Sequence, residues 1–524
     1  MRIQKERIMK EVYFLAPNFT YFVPMGYKST IAKIAANFIA PAIYKEQKNA
    51  VAIQRRLMDS FIAEAKDTDF GRGHHFADIK NYADFKAAIP VYDYEDLKDY
   101  MELIADGKQS VLWPGRPLYF CKSSGTTSGT KYIPVNELQI NEMIRAARNS
   151  LMLYVAETGR SQFFDRKMIF LQGSPVLDKH GVIPAGRLSG IVYHHVPFYV
   201  NANRMPGYKT NCIEDWEQKV DAIARETVNE RMSLISGIPP WVVMYFERLL
   251  ELSGRQFIKD IFPDFKVFAY GGVNYEPYRA RIEQLIGFKI DSVETYPASE
   301  GFIAYQDSQT EPGLLLNVNG GIFYEFVKAA EIFEARPKRI ALDEIELGVN
   351  YALILSNNAG LWGYNLGDTV KFISKDPYRI LVTGRVKHFI SAFGEHVIGE
   401  EVDMAMMEAC AELNMSIREF TVAPQVSPEG ELPYHEWFVE FGRPEDDTAK
   451  LAERIDGLLQ QKNSYYSDLR QGHVLQQLKI RRLKNNAFVD YMRSQGKLGG
   501  QYKVPRLTNN RQIADALAQY VSGS

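Results

Sequence analysis

The stretch from Lys266 to Thr295 narrows the choice of fold more than any other. Lys266–Tyr270 is a short β-rich run, Gly271-Gly272 turns the chain, Pro277–Ile286 has helical periodicity closed by Gly287, and Ile290–Thr295 is β-rich again. Strand, helix, strand is the crossover unit of parallel sheets, because parallel neighbours cannot be joined by a tight turn. Met168–Leu171 and Ser233–Ile235 read as further buried strands. Gly237-Ile238-Pro239-Pro240 breaks the chain before a helix over Trp241–Leu252, with Pro240 near its first turn.

The flanking regions have other textures. Residues 30–66 and 81–105 read as helices, the second set interrupted at Pro90. Leu118–Cys121 reads as a strand, and Asn136 as the cap of a helix carrying Ile140, Met143, Ile144, Ala147, Leu151 and Tyr154 at helical spacing. After Gly320, Ile322–Val327, Tyr351–Leu355, Val370–Ile373, Tyr378–Val382 and His388–Ser391 are closely spaced strand candidates, the pattern of an antiparallel sheet or barrel-like lobe. The last stretch mixes helices (Glu400–Leu413, Ala449–Gln461) with strands (Tyr434–Phe441, Val474–Ile480). The expected class is α/β: a large N-terminal domain of mixed α/β sheets with a β-barrel-like lobe, then a small α+β domain.

Charge and cysteines exclude several functions. With 62 Lys+Arg against 64 Asp+Glu in 524 residues, the net charge of −2 exerts no pull toward nucleic acid or an anionic membrane. Cys121, Cys212 and Cys410 form no CxxC pair, so neither a disulfide framework nor a structural zinc is expected. The apolar part of the N-terminus, Val12–Val23, is broken by Pro17 and Asn18 and is too short to span a bilayer. Met25 is an alternative start, leaving residues 1–24 as a dispensable extension. A cytoplasmic location is expected.

Five runs carry chemistry. Ser123-Ser124-Gly125-Thr126-Thr127-Ser128-Gly129-Thr130-Lys131 offers hydroxyls and backbone N–H groups around glycines, with a lysine at its end, which suits phosphate oxygens better than a flexible linker. It is not a Walker A loop, since Lys131 does not follow a glycine, and no GxGxxG opens a helix. Glu294-Thr295-Tyr296-Pro297-Ala298-Ser299-Glu300 begins where a predicted strand ends, where open α/β sheets bind ligands. A carboxylate there could hold Mg²⁺, and Tyr296 could stack on a purine, although a capped polar loop explains the run equally well alone. Gly367-Asp368 reads first as a turn between strands, and alternatively as an acceptor for ribose hydroxyls. Arg385, in Thr383-Gly384-Arg385, is a surface charge or a nucleotide contact. Lys503, in Gly500-Gln501-Tyr502-Lys503-Val504-Pro505-Arg506, is a solvated lysine or a mobile cation delivered to a site. His194-His195, read as a strand pair, would point to opposite faces and could not chelate together. Cys121 is expected to be a buried small residue.

Together, in this order and spacing, the five runs resemble the acyl-adenylate-forming superfamily, and within it the Gretchen Hagen family of acyl acid–amido synthetases. The resemblance covers nearly the whole chain from Met25. It implies ATP phosphates on Ser123–Gly129 and Lys131, adenine bordered by Gly272, Val273, Asn274 and Tyr296, Ser299 among the ATP-binding residues, Mg²⁺ on Glu300, and ribose on Asp368 with Arg385 nearby. It implies catalytic roles for Glu300 and for Lys503, the latter at the acyl–phosphate oxygen. It also implies an adenylation domain over 25–385, a hinge at 386–391 and a mobile lid over 392–524. His396, in Gly394-Glu395-His396-Val397, stands where plant members carry a lysine shortly after the hinge strand, a departure that bears on the acceptor.

The activity implied is an ATP- and Mg²⁺-dependent ligase. It would adenylate a carboxylic acid and pass the acyl group to an amine, first among them an amino acid. The alternatives are transfer to a thiol (coenzyme A or a carrier protein) and a non-catalytic nucleotide-binding protein. The expected partners are these small molecules, with no nucleic acid and no membrane, and the sequence leaves the oligomeric state open. No GxSxG nucleophile is needed, because the covalent intermediate sits on the nucleotide.

Overall fold

The computed structural model describes residues 26–522, except 125–129, 273–274, 335, 387–388, 391–396, 427, 429–430, 444–445, 472–473, 497–503 and 509, and except the side chains of 124, 130, 198–199, 240, 277, 389–390, 464–465 and 468. The proposed extension over 1–24 lies outside the described residues.

The helical N-terminal region is α1 (Tyr27–Lys48), α2 (Ala50–Ala65) and α3 (Tyr94–Ala105), with Tyr82–Ala88 between the last two. Asp93 and Asp96 close a capping box on α3, which satisfies N–H groups the first turn cannot bond internally. Strands β1 (Tyr119–Ser124) and β2 (Thr130–Val135) form a hairpin. Helix α4 (Glu137–Thr158) follows, capped as expected by the Asn136 side chain, which accepts from Gln139 N.

The middle of the chain supplies β3 (Lys167–Phe170), β4 (Asp178–His180), β5 (Ile183–Gly186), β6 (Arg204–Met205), β7 (Met232–Ser236), β8 (Val267–Gly271) and β9 (Asp291–Ala298). Helices α5 (Trp216–Thr227), α6 (Pro239–Ser253) and α7 (Glu276–Ile286) are interleaved with them. Strands β6, β3, β7, β8 and β9 run parallel, as the strand–helix–strand pattern requires. Alternate side chains serve opposite faces. Ile169, Ile235 and Phe268 pack with α5, α6 and α7. Met168, Leu234 and Val267 pack with residues of α1 and α4. Strands β1, β2, β4 and β5 form a separate four-stranded sheet.

Beyond β9 come β10 (Gly301–Tyr305), β11 (Leu314–Leu316), β12 (Ile322–Lys328), β13 (Asn350–Asn357), β14 (Tyr364–Lys375) and β15 (Tyr378–Arg385). These are antiparallel, as expected. They do not stand apart: β10 pairs with β9 and β11 with β15, so one sheet of eleven strands runs β12-β13-β14-β15-β11-β10-β9-β8-β7-β3-β6.

The C-terminal region begins with the short pair β16 (Phe389–Ile390) and β17 (Val397–Ile398). Helices α8 (Gly399–Glu412) and α9 (Thr448–Lys462) pack on a sheet of β18 (Ile417–Gln425), β19 (Tyr434–Phe441) and β20 (Lys479–Leu483) around Phe420, Trp437 and Ile455. The strand expected over Val474–Ile480 starts only at Lys479. Before it, Arg470 donates to Leu475 O and Asp456 accepts from Leu478 N, so side chains take the backbone groups a ladder would use. No helix among the described residues is long and apolar enough to cross a membrane.

Candidate active site

Every described element of the site faces one cavity of about 2240 Å³. It opens over the carboxyl ends of β7, β8 and β9, the position at which open α/β sheets present ligands. The tightest join is at Gly271, where a Cβ atom would lie 2.4 Å from Thr295 O, so only glycine lets β8 end against β9. Gly272 follows with φ 72° and lines the cavity.

The β1–β2 hairpin brings Ser123 opposite Lys131 in register, and both line the cavity. Lys131 also lies 5.6 Å from the centre of the Tyr94 ring. Ser124 is paired with Thr130 through the backbone. Gly125, Thr126, Thr127, Ser128 and Gly129 lie outside the described residues, as do Val273, Asn274, His396 and Lys503.

Glu294–Ala298 belongs to β9 and is not a loop, and the turn is confined to Ser299-Glu300 before β10. That turn is locked from two sides: Gln139 Nε2 on α4 and Asn357 Nδ2 on β13 each donate to Glu300 O at 2.7 Å. Glu300 is therefore held in the interior at 6 % exposure. Burial pushes its carboxyl up to about 7, against the pull of Lys131 and Arg385. Ser299 accepts the Cys121 thiol at 3.2 Å. Cys121 is fully buried and its thiol is pushed up to about 12, which excludes a thiolate nucleophile.

Asp368 sits within β14, not at a turn; Gly367 beside it has φ 82° and lets the strand bend without ending. Cross-strand pairing puts Asp368 opposite Arg385, whose Nε is 2.8 Å from Oδ1. Tyr296 OH donates to Oδ2 at 2.6 Å. Tyr296 is only 7 % exposed and lines the cavity as a wall residue whose hydroxyl fixes Asp368.

His194 and His195 follow the helix Leu188–Tyr193 and are not on a strand. His194 Nε2 meets Pro175 O at 2.8 Å and His195 Nε2 meets Tyr119 OH at 3.0 Å, so each is engaged separately. Among the described residues no three His, Cys, Asp or Glu side chains converge as a metal cluster. Glu294, the first residue of its run, lines the cavity, as do Arg145, Arg148 and Arg204, which the sequence motifs did not include. The signal for Arg145 and Arg148 was present: Ile144, Arg145, Ala147, Arg148 and Leu151 fall on one side of a helix at spacings of three and four. Arg204 had no comparable pattern.

Residues 40–211 and 186–289 match the GH3 family N-terminal domain, 315–385 the GH3 family central domain and 400–512 the GH3 family C-terminal domain. The chain belongs to the GH3 family. This GH3 chain is 23% identical over 543 residues to a probable indole-3-acetic acid-amido synthetase, GH3.1, of Arabidopsis thaliana, covering 90% of this chain and 91% of that one. It is 23% identical over 542 residues to a jasmonoyl–L-amino acid synthetase, GH3.5, of Oryza sativa subsp. japonica, covering 87% and 91%. Among solved structures, the GH3 fold here superposes on AtGH3.15 acyl acid amido synthetase in complex with 2,4-DB with a TM-score of 0.77 at 15% identity, covering 96% of this chain and 98% of that one.

Proposed function

We propose that this GH3 protein is an ATP-dependent ligase joining a carboxylic acid to an amine, with an amino acid as the expected acceptor. In the first step a carboxylate oxygen attacks the α-phosphorus of ATP and pyrophosphate leaves. In the second the amine nitrogen attacks the acyl carbon, loses a proton, and AMP leaves. Amide synthesis is favoured over thioester formation because the curated relatives that match nearly the full length are acid–amido synthetases.

The observation that carries the reading is the convergence of Lys131, Glu300 and the Asp368–Arg385 pair on one cavity at the carboxyl ends of the sheet. Asp368, held by Tyr296 and Arg385, is oriented to accept from the ribose hydroxyls. The loop Ser123–Gly129 with Lys131 is assigned to the phosphates, and Gly272, Val273, Asn274 and Tyr296 to the base, with Ser299 among the ATP-binding residues. Glu300, a carboxylate lining the cavity with Lys131 nearby, would be the residue to hold a Mg²⁺. Bound there, Mg²⁺ would neutralise charge on the phosphates. Lys503 is assigned to the acyl–phosphate oxygen. Residues 25–385 form the adenylation domain, 386–391 the hinge and 392–524 the lid, which shields the acyl adenylate from water. The protein is read as cytoplasmic, where both nucleotide and amino acids are abundant.

The test is pyrophosphate release across a panel of carboxylic acids, repeated with amino acids and with coenzyme A, with products identified by mass. Amide in the amino acid arm supports the proposal. Thioester in the coenzyme A arm alone replaces it, and no acid-dependent release in any arm refutes it.

A further inference from the structure

The cavity is lined by hydrogen-bond donors that have no acceptor among the described residues. Arg204, on edge strand β6, is paired in register with Met168 of β3, so its side chain leaves the sheet on the face shared with Met168 and Phe170, the face covered by α4. Its guanidinium lies 3.7 Å from the centre of the Tyr193 ring and 5.5 Å from that of Phe170. Aromatic faces stabilise a cation from above and below its plane, but they accept none of its in-plane N–H groups. Nε and Nη1 of Arg204 are buried and have no hydrogen-bond partner among the described residues. Gln172, two residues past Phe170, also lines the cavity, and its Nε2 is likewise buried without a partner.

Other arginines on the cavity wall are neutralised within the protein: Arg145 by Glu142, Arg281 by Glu247, Arg385 by Asp368 and Arg506 by Asp403 and Glu419. A desolvated guanidinium without an anion is costly, and so is an orphaned amide. Two such groups, both donors and both lining the cavity, describe a receptor for an acceptor-only group. Apolar Leu151, Met152 and Phe164 line the cavity as well. The cluster that holds Met152 and Phe164 also holds Met168 and Phe170, so apolar surface surrounds the donors.

Resting on the adenylation reading above, we propose that the acid substrate is a dicarboxylic acid with an apolar spacer, its distal carboxylate held by Arg204 with Gln172. One carboxylate is activated at the nucleotide end, and the other anchors the molecule and sets the length of spacer accepted.

The experiment is acid-dependent ATP–pyrophosphate exchange with no amine present, on the full chain. Aliphatic and aryl dicarboxylic acids are compared with their half methyl esters and with monoacids of equal length. The expected result is a kcat/KM about 10- to 100-fold higher for a diacid than for its half ester, the range for a hydrogen-bonded charged group. In Arg204→Met that ratio falls to near one, and Arg204→Lys restores part of it. If Arg204→Met loses exchange with every acid, the wild-type ratio and the lysine variant decide. Equal exchange of diacid and half ester by the wild-type protein overturns the proposal and leaves the adenylation reading standing. So does an Arg204→Met variant that keeps the wild-type ratio of diacid to half ester. Absence of exchange with every acid removes both.

Discussion

Glu300→Gln should stabilise the ligand-free protein while abolishing its activity, and the gain should depend on pH. Burial raises the Glu300 carboxyl from its ordinary 4.5 to about 7. Below pH 4.5 both folded and unfolded chains carry the proton, and burial costs little. Between 4.5 and 7 the unfolded chain loses the proton while the folded one keeps it, so stability falls as pH rises. Above 7 both are ionised and the loss is complete. At about 1.4 kcal/mol per pH unit, the difference comes to roughly 3 kcal/mol. Glutamine never ionises and escapes this cost, so the variant gains about that much over wild type at pH 8 and almost nothing at pH 4.5. Urea unfolding of both proteins without nucleotide, followed by tryptophan fluorescence at the two pH values, measures it. An equal wild-type-to-variant difference at both pH values would refute the reasoning. Pyrophosphate release by the variant at the wild-type rate would refute the metal assignment separately.

Three further outcomes follow from named contacts. Tyr296→Phe removes the 2.6 Å hydrogen bond to the Asp368 carboxylate; the KM for ATP should rise about tenfold with kcat much less changed. Arg339→Met strips the buried partner from Glu325, which is fully buried, and should lower stability by about 3–5 kcal/mol in denaturant titration. Lys503→Ala should slow carboxylate-dependent pyrophosphate exchange by about a hundredfold, while transfer to the amine from added acyl adenylate continues; an unchanged exchange rate ends its assignment.

The parallel half of the large sheet was legible because its signals are local. Crossover helices, the Asn136 cap and Gly287 after α7 all act within a few residues. The joining of the antiparallel strands to that sheet was not, because it depends on β11 pairing with β15, far along the chain. Gly367-Asp368 resembled a turn because glycine before aspartate is the chemistry of one; only the partner strand shows that the chain continues straight through. The site residues Glu300, Asp368 and Arg385 were found as motifs, yet that Tyr296 fixes Asp368 is a tertiary fact. Arg204 was invisible because a lone arginine acquires meaning only from its surroundings, where no described residue supplies a counter-charge.

The anchoring of Arg506 has a consequence for reach. Its guanidinium is fixed to Asp403 and Glu419 within the C-terminal region, and Glu419 in turn accepts from Tyr278 OH of α7 at 2.5 Å. Three residues of chain span at most about 11 Å, so Lys503 works on a leash of that length tied at Arg506. Any longer excursion has to move the post and not the rope. On the proposed movement of the lid, withdrawing Lys503 further than that would mean carrying Glu419 away from Tyr278, and that phenol would act as one catch on the change of position.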